Sequence, residues 1–142
     1  PPNQRRRVSY GVNSFLCDFG NGRNPYGPAP PGYVGTWPGG DGNAYDRLER
    51  VTNPAATVHF LIMAFKGPYA GADHPHVVNW IGHPSPPAVA NDHVEINAAG
   101  GQPETWEARS NYGFLDGHAE TRSFENVFKD KDTNSFDPLV AQ

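Results

Sequence analysis

The chain has a single cysteine, Cys17, in 142 residues. No internal disulfide can form, which excludes a disulfide scaffold, and Cys17 sits in an apolar run that suits a buried thiol. Long apolar runs are missing too. The longest strongly apolar stretch, Val58 to Phe65, is far below the ~20 residues of a membrane-spanning helix. There is no basic excess: 11 Lys and Arg against 15 Asp and Glu leave a net charge of −4. A phosphate-binding surface needs the opposite sign, so nucleic acid is not an expected partner. Gly-x-Ser-x-Gly, a P-loop and Gly-x-Gly-x-x-Gly after a strand are all absent, so no motif points to an enzyme. Internal repeats and low-complexity tracts are absent as well.

What is abundant is Gly, at 16, and Pro, at 15. That much of both argues against long helices and for short strands joined by irregular segments. A hydrophobic content of 37% with 12% aromatics favours a folded chain, and the length suits one domain over 1–142. The fold class expected is mainly β: an antiparallel sheet with a C-terminal Asp-Gly hairpin and long Pro/Gly-rich loops. Residues 1–7 read as a polar arm and Val8–Cys17 as a strand. Residues 18–46 read as an irregular loop held down by Tyr26, Tyr33 and Trp37. Tyr45–Val51 suits one or two helical turns, stopped by Asn53-Pro54. Thr57–Phe65 is expected to be the central buried strand, with His59 as a core histidine. Residues 66–102 read as loop, with short strands at His76–Ile81 and Asp92–Ile96. Residues 129–142 read as a polar surface tail.

Ser110–Phe124 carries the strongest local signal. Asp116-Gly117 suits a two-residue type I′ turn, which needs φ > 0 at both positions. That turn would pair Leu115 with His118, Phe114 with Ala119, Gly113 with Glu120 and Tyr112 with Thr121. Tyr112, Phe114, Ala119 and Thr121 would then share the core face, leaving Asn111, His118, Glu120 and Arg122 to water.

The stretch Tyr112-Gly113-Phe114-Leu115-Asp116-Gly117-His118-Ala119-Glu120 also resembles the C-terminal signature of the bacterial prepilin-like, or pseudopilin-like, H-X9-DG proteins. Arg7 to Leu16 is similar to their Ser-Tyr-Gly-x-Asn strand, here Ser9-Tyr10-Gly11-Val12-Asn13. Leu48 to Val58 is similar to their segment ending in Pro-x-x-Thr-Val, here Pro54-Ala55-Ala56-Thr57-Val58. The three motifs occur in the family's order across residues 7 to 124. Where the signature has histidine, ten residues before Asp116, this chain has Trp106. The family begins with a prepilin leader and a long apolar helix. The resemblance therefore implies that this chain is the exposed β-rich part of a structural subunit of an extracellular, type IV pilus-like or type II secretion pseudopilus-like filament, or a relative that lacks the anchor helix. It further implies homo-oligomerisation through that helix, which is also the only contact with membrane, and no catalytic residue.

Three constellations suggest chemistry. His74 and His76, in His-Pro-His, with His93 could ligate one zinc ion and leave a position open for water, which would suit a metal-dependent hydrolase; His83 is an alternative third ligand. Asp130, Asp132, Asn134 and Asp137 begin like an Asp-x-Asp-x-Asn calcium loop, although Ser135 and Ala141 stand where an EF-hand has Gly and Glu. Pseudopilins that share the pilin fold hold calcium in a C-terminal loop, and by that analogy Ca2+ is the one cofactor expected. Asp41-Gly42-Asn43 with Asp46 is a shorter set of the same kind. Finally, Tyr33, Trp37 and Trp80 could make a sugar-stacking surface, as in a carbohydrate-binding module. Asp116 needs no catalytic role, because its place before Gly117 makes it a structural turn residue.

Overall fold

The computed structural model describes residues 10–17, 31–32, 45 and 47–142. The arm over 1–7 lies outside them. So do Tyr26, Tyr33, Trp37, Asp41-Gly42-Asn43, Asp46 and nearly all of the 18–46 loop.

Four strands form one antiparallel sheet in the order β1 (Tyr10–Val12), β2 (Val58–Ile62), β3 (Arg109–Phe114), β4 (Ala119–Ser123). Two α-helices, α1 (Pro86–His93) and the single turn α2 (Phe124–Val127), and three 3-10 turns complete the regular elements among the described residues. The antiparallel, β-rich class expected from composition is what forms. β2 is internal, pairing β1 on one side and β3 on the other. Its register shifts between Val58 and Phe60. A bulge there resets the inside–outside alternation, so Val58 and Leu61 both face the core although they are an odd number of residues apart. His59 is consequently only half buried rather than a core histidine.

Close backbone approach explains two glycines. A Cβ on Gly11, opposite Leu61, would collide with the Met63 side chain and reach 3.0 Å from the Asp73 carbonyl. A Cβ on Gly113, opposite Phe60, would enter the Phe60 ring, which lies over the bare backbone on the outer face.

β3 and β4 pair from Arg109↔Ser123 to Gly113↔Ala119. This is one residue away from the expected register: Tyr112 faces Glu120, not Thr121. The connection holds Leu115, Asp116 and Gly117. Gly117 N–H donates to Phe114 O at 3.0 Å, and Phe114 N–H donates to His118 O at 2.9 Å. Gly117 has φ +96°, whereas Asp116 is not among the positive-φ residues. The turn is therefore type I closed by a left-handed glycine, not type I′. A one-residue slip turns the whole strand over. His118, Glu120 and Arg122 thus lie on the same side as Tyr112 and Phe114. The His118 ring stacks on Phe114 with centroids 4.5 Å apart, and the Arg122 guanidinium sits 4.7 Å from that ring. On the outer side, Thr121 Oγ1 donates to Asn111 Oδ1 at 2.6 Å.

The core gathers on the inner side around Trp80, which is completely buried. Its ring meets Phe136, Phe128 and Phe124 at centroid distances of 5.2, 5.5 and 5.7 Å. The segment holding Trp80 is not the expected strand: Val77–Asn79 is a 3-10 turn. Asp92–Ile96 is likewise not a strand, because Pro86–His93 is helical and only Val94 bridges Met63. Tyr45–Val51 does make a single turn, a 3-10 turn at Leu48–Arg50.

The C-terminal segment is not a surface tail. Ser135, Phe136 and Asp137 are buried. Val58 N–H donates to Ser135 O at 2.7 Å, and Ser135 N–H donates to Val127 O at 2.8 Å. Phe136 is the anchor that turns a polar-looking stretch inward.

Candidate functional site

The three histidines singled out from sequence do meet. His74 and His76 stack with ring centroids 5.2 Å apart, and His76 and His93 stack at 5.7 Å. Tyr69 packs on His93 at 3.9 Å and edges onto His76 at 5.5 Å. Helix α1 positions His93 in its last turn. Ser85 precedes it, and Pro86 at the first helical position supplies a preset φ. His93 is 1% exposed, and its Nδ1 accepts the Trp80 indole N–H at 3.0 Å. That bond requires a neutral ring with its proton on Nε2. Nε2 itself has no hydrogen-bond partner among the described residues. Burial holds the His93 pKa down to about 4, with His76 adding repulsion. Burial, then His74, lowers that of His76. At the outer end, His74 Nδ1 bonds Asp73 Oδ1 at 2.6 Å.

This arrangement is a stack, not a ligand set. Among the described residues no group of three or more His, Cys, Asp or Glu side chains is placed to hold a metal ion. The zinc reading of His74, His76 and His93 is corrected accordingly: the rings lie face to face, and one His93 nitrogen is already taken by Trp80. His83 stands apart and exposed, its Nδ1 accepting Ser85 N–H at 3.0 Å. Cys17 lies near Asp73, and burial first, then that carboxylate, pushes its thiol pKa up. It is a protonated thiol at neutral pH, not a nucleophile.

The C-terminal oxygens do not converge on a calcium ion either. Asn134 Oδ1 accepts the N–H groups of Phe136 and Asp137 at 2.9 and 2.8 Å, while its Nδ2 donates to Asp130 O and Lys131 O. Asp130 Oδ1 accepts Asp132 N–H at 2.9 Å. Asp132 binds the Lys131 ammonium at 2.6 Å. Asp137 Oδ1 accepts Leu139 N–H at 3.0 Å. The Asp-x-Asp-x-Asn pattern therefore encodes turn staples.

Trp80 is no sugar platform, because it is buried beneath three phenylalanines and spends its N–H on His93. Tyr33 and Trp37 lie outside the described residues. Among the described residues the exposed aromatics include Phe65 and, on the outer sheet face, Tyr10 and Phe60, which form an edge-to-face pair at 6.1 Å with Val12 beside them.

His118, Glu120 and Arg122 form one polar row on β4, as the sequence suggests, but the one-residue shift in register puts the row on the side of Tyr112 and Phe114 and parts it from Asn111. Asp116 Oδ1 accepts both His118 N–H at 3.1 Å and His118 Nδ1 at 2.5 Å. Glu120 Oε1 accepts Arg122 Nε at 2.6 Å and lies 3.5 Å from His118 Nε2. The hydrogen bond to Asp116 raises the His118 pKa, and the reciprocal bond lowers that of Asp116. The bond from Arg122 lowers that of Glu120. The row is solvent-facing and carries no nucleophile. It closes the rim of the core and puts charge on an edge strand, which discourages unwanted pairing.

The remaining convergence is structural. Asn13, at the end of β1, is completely buried. Its Nδ2 donates to Val58 O at 2.8 Å and Phe136 O at 2.7 Å, and its Oδ1 accepts Phe15 N–H at 3.1 Å. Leu115 N–H donates to Thr57 O at 3.0 Å, and Thr57 Oγ1 donates to Asn53 O at 2.8 Å. The strand ending in Asn13, the Thr57-Val58 entry into β2 and the Leu115-Asp116-Gly117 turn thus meet at one end of the sheet. Comparison with protein-family models, with curated proteins and with solved structures finds no match.

Proposed function

We propose that this chain is the β-rich domain of a pilin-like or pseudopilin-like protein, a structural subunit of an extracellular filament of the type IV pilus or type II secretion kind. Assembly would run through an apolar helix preceding Pro1, and the β domain would form the outer surface. One observation carries the reading. The described parts of the three segments that resemble the family meet at one end of the sheet and are bonded to one another, through Asn13 to Val58 and Thr57 to Leu115. Their motif residues are thereby explained by folding work: a buried amide, a strand entry and a left-handed glycine. None is left asking for a catalytic role. The outer face of the sheet, with Tyr10, Val12 and Phe60 exposed, supplies apolar area of the kind that packs in an assembly.

The test is the intact mass and N-terminal sequence of the native protein from its source, with negative-stain microscopy of the cell surface. A longer chain beginning with an N-methylated apolar helix, together with filaments lost on deletion of the gene, is the expected result. A native chain that starts at Pro1 after removal of an ordinary secretory signal would overturn the proposal.

A further inference from the structure

The histidine stack lies where segment 67–76 fastens onto the rest of the fold. At its β1 end, Asp73 O accepts Val12 N–H at 2.9 Å, which covers the outer edge of that strand. At its α1 end, Tyr69 and His76 pack on His93. Between these two ends runs a row of rings: Trp80, His93, His76, His74. Trp80 and His93 are buried, and His74 and His76 are half buried.

A proton is poorly tolerated on His93, at the buried inner end of this row. Protonated His93 would carry N–H at both nitrogens, so Nδ1 would point a donor at the Trp80 indole donor. The bond that orients His93 would break. A charge on His76 would lie between two other imidazoles. Among the described residues, the charged or titratable groups facing the row are few. Segment 67–76 contributes Tyr69 and Asp73, and Asp73 is engaged with His74. Helix α1 contributes the Val89 carbonyl and Asp92, both of which favour a charged His93, but burial and His76 outweigh them. Cys17, beyond β1, is near Asp73 and is held as a thiol. The Trp80 turn and the Phe124, Phe128 and Phe136 cluster bring no charge.

We propose that the Trp80–His93–His76–His74 row is an acid-sensitive latch, whose protonation releases segment 67–76 from α1 and from the edge of β1. Release uncovers the Val12 N–H, an unpaired strand edge of the kind that another chain can join. The direction follows from linkage. His76 and His93 bind protons less readily latched than released, so latching is complete above the ordinary histidine value of about 6.5 and is lost as pH falls toward the latched values. For His93 alone, about 4 against about 6.5, moving from pH 7.5 to pH 5 shifts the equilibrium toward release roughly 30-fold.

Amide hydrogen exchange at pH 7.5 and pH 5, corrected for intrinsic chemical rates, tests this. The expected result is a fall in protection of at least about tenfold at Val12 and across 70–76, with β3 and β4 amides unchanged. His93→Gln keeps an acceptor for the Trp80 N–H but cannot titrate, so it should retain protection at pH 7.5 and lose most of the pH response. Unchanged protection in the wild type, a fall spread evenly over the sheet, or an undiminished response in His93→Gln would each overturn the latch. Should that variant fail to fold, a proton NMR titration of the wild type decides: a His93 midpoint near 4 supports the latch, and one at or above 6.5 overturns it.

Discussion

Replacing Asn13 should cost more than any other single polar substitution described above. Its carboxamide makes three bonds, to Val58 O, Phe136 O and Phe15 N, inside a fully buried site. Asn13→Ala deletes all three and leaves a buried N–H and two buried carbonyls short of partners. At roughly 1 kcal/mol or more per lost bond, with extra cost for the orphaned N–H, the loss is about 3–5 kcal/mol. A domain of this size has only about 5–15 kcal/mol in total. Urea unfolding followed by tryptophan emission measures it, because Trp80 sits in the aromatic core.

Asn13→Asp separates the bonds from the packing. The aspartate has the same shape, and it can still accept from Phe15 N–H. As a carboxylate it cannot donate, and it would present negative charge to two carbonyl oxygens. Those contacts raise its folded pKa above the ordinary value of about 3.9. The destabilisation is then largest at neutral pH and shrinks below the raised pKa, where the protonated acid donates one bond again. A loss below about 1 kcal/mol in Asn13→Ala, or an Asn13→Asp variant as stable at pH 7 as the parent, would refute the idea that this amide joins the sheet to the C-terminal segment.

Three further outcomes follow from named atoms. Tyr112 Oη is buried with no partner among the described residues, and burial raises its pKa strongly. Tyr112→Phe should therefore be neutral or gain about 1 kcal/mol, and a loss above 1 kcal/mol would show that the hydroxyl is bonded. Gly117 has φ +96° with open space around it. Gly117→Val should lower stability by roughly 1 kcal/mol or more and Gly117→Asn by less, and equal melting temperatures would show that the turn has been misassigned. With Asn134 and Asp132 spent on turn staples and Lys131, excess calcium or a chelator should leave the melting temperature unchanged, and a calcium-dependent rise would restore the ion-binding reading.

The sequence announced the hairpin's location but not its register. Asp-Gly marks a turn in either a two-residue or a three-residue loop, and only the longer one lets Asp116 accept the His118 N–H. The choice was settled by tertiary contacts: Phe114 takes His118 and Arg122 onto its ring. Helix α1 replaces part of the loop expected over 66–102, and its signal is present in the sequence. Ser85 followed by Pro86-Pro87 reads as a breaker, yet proline is favoured at a first helical position, and no glycine interrupts the next seven residues. The bond between Trp80 and His93 had no local signal, because it joins a 3-10 turn to the far end of a helix. His74, His76 and His93 were rightly grouped as neighbours, but shared residue type could not tell stacked rings from converging nitrogens.

Composition explains why side-chain amides and carboxylates carry so much of this fold. With 16 Gly and 15 Pro, long hydrogen-bonded ladders are not available. The backbone groups of the irregular segments still need partners once buried. Asn13, Thr57, Asn134 and Asp137 supply them, and all four are buried. They cluster where the C-terminal segment lies against the start of β2. Polar residues in such positions accept almost no substitute, since each is matched to a donor or acceptor at a set distance. Most exposed loop positions carry no such constraint. A protein built this way can vary its outer loops widely while holding a few scattered polar residues fixed.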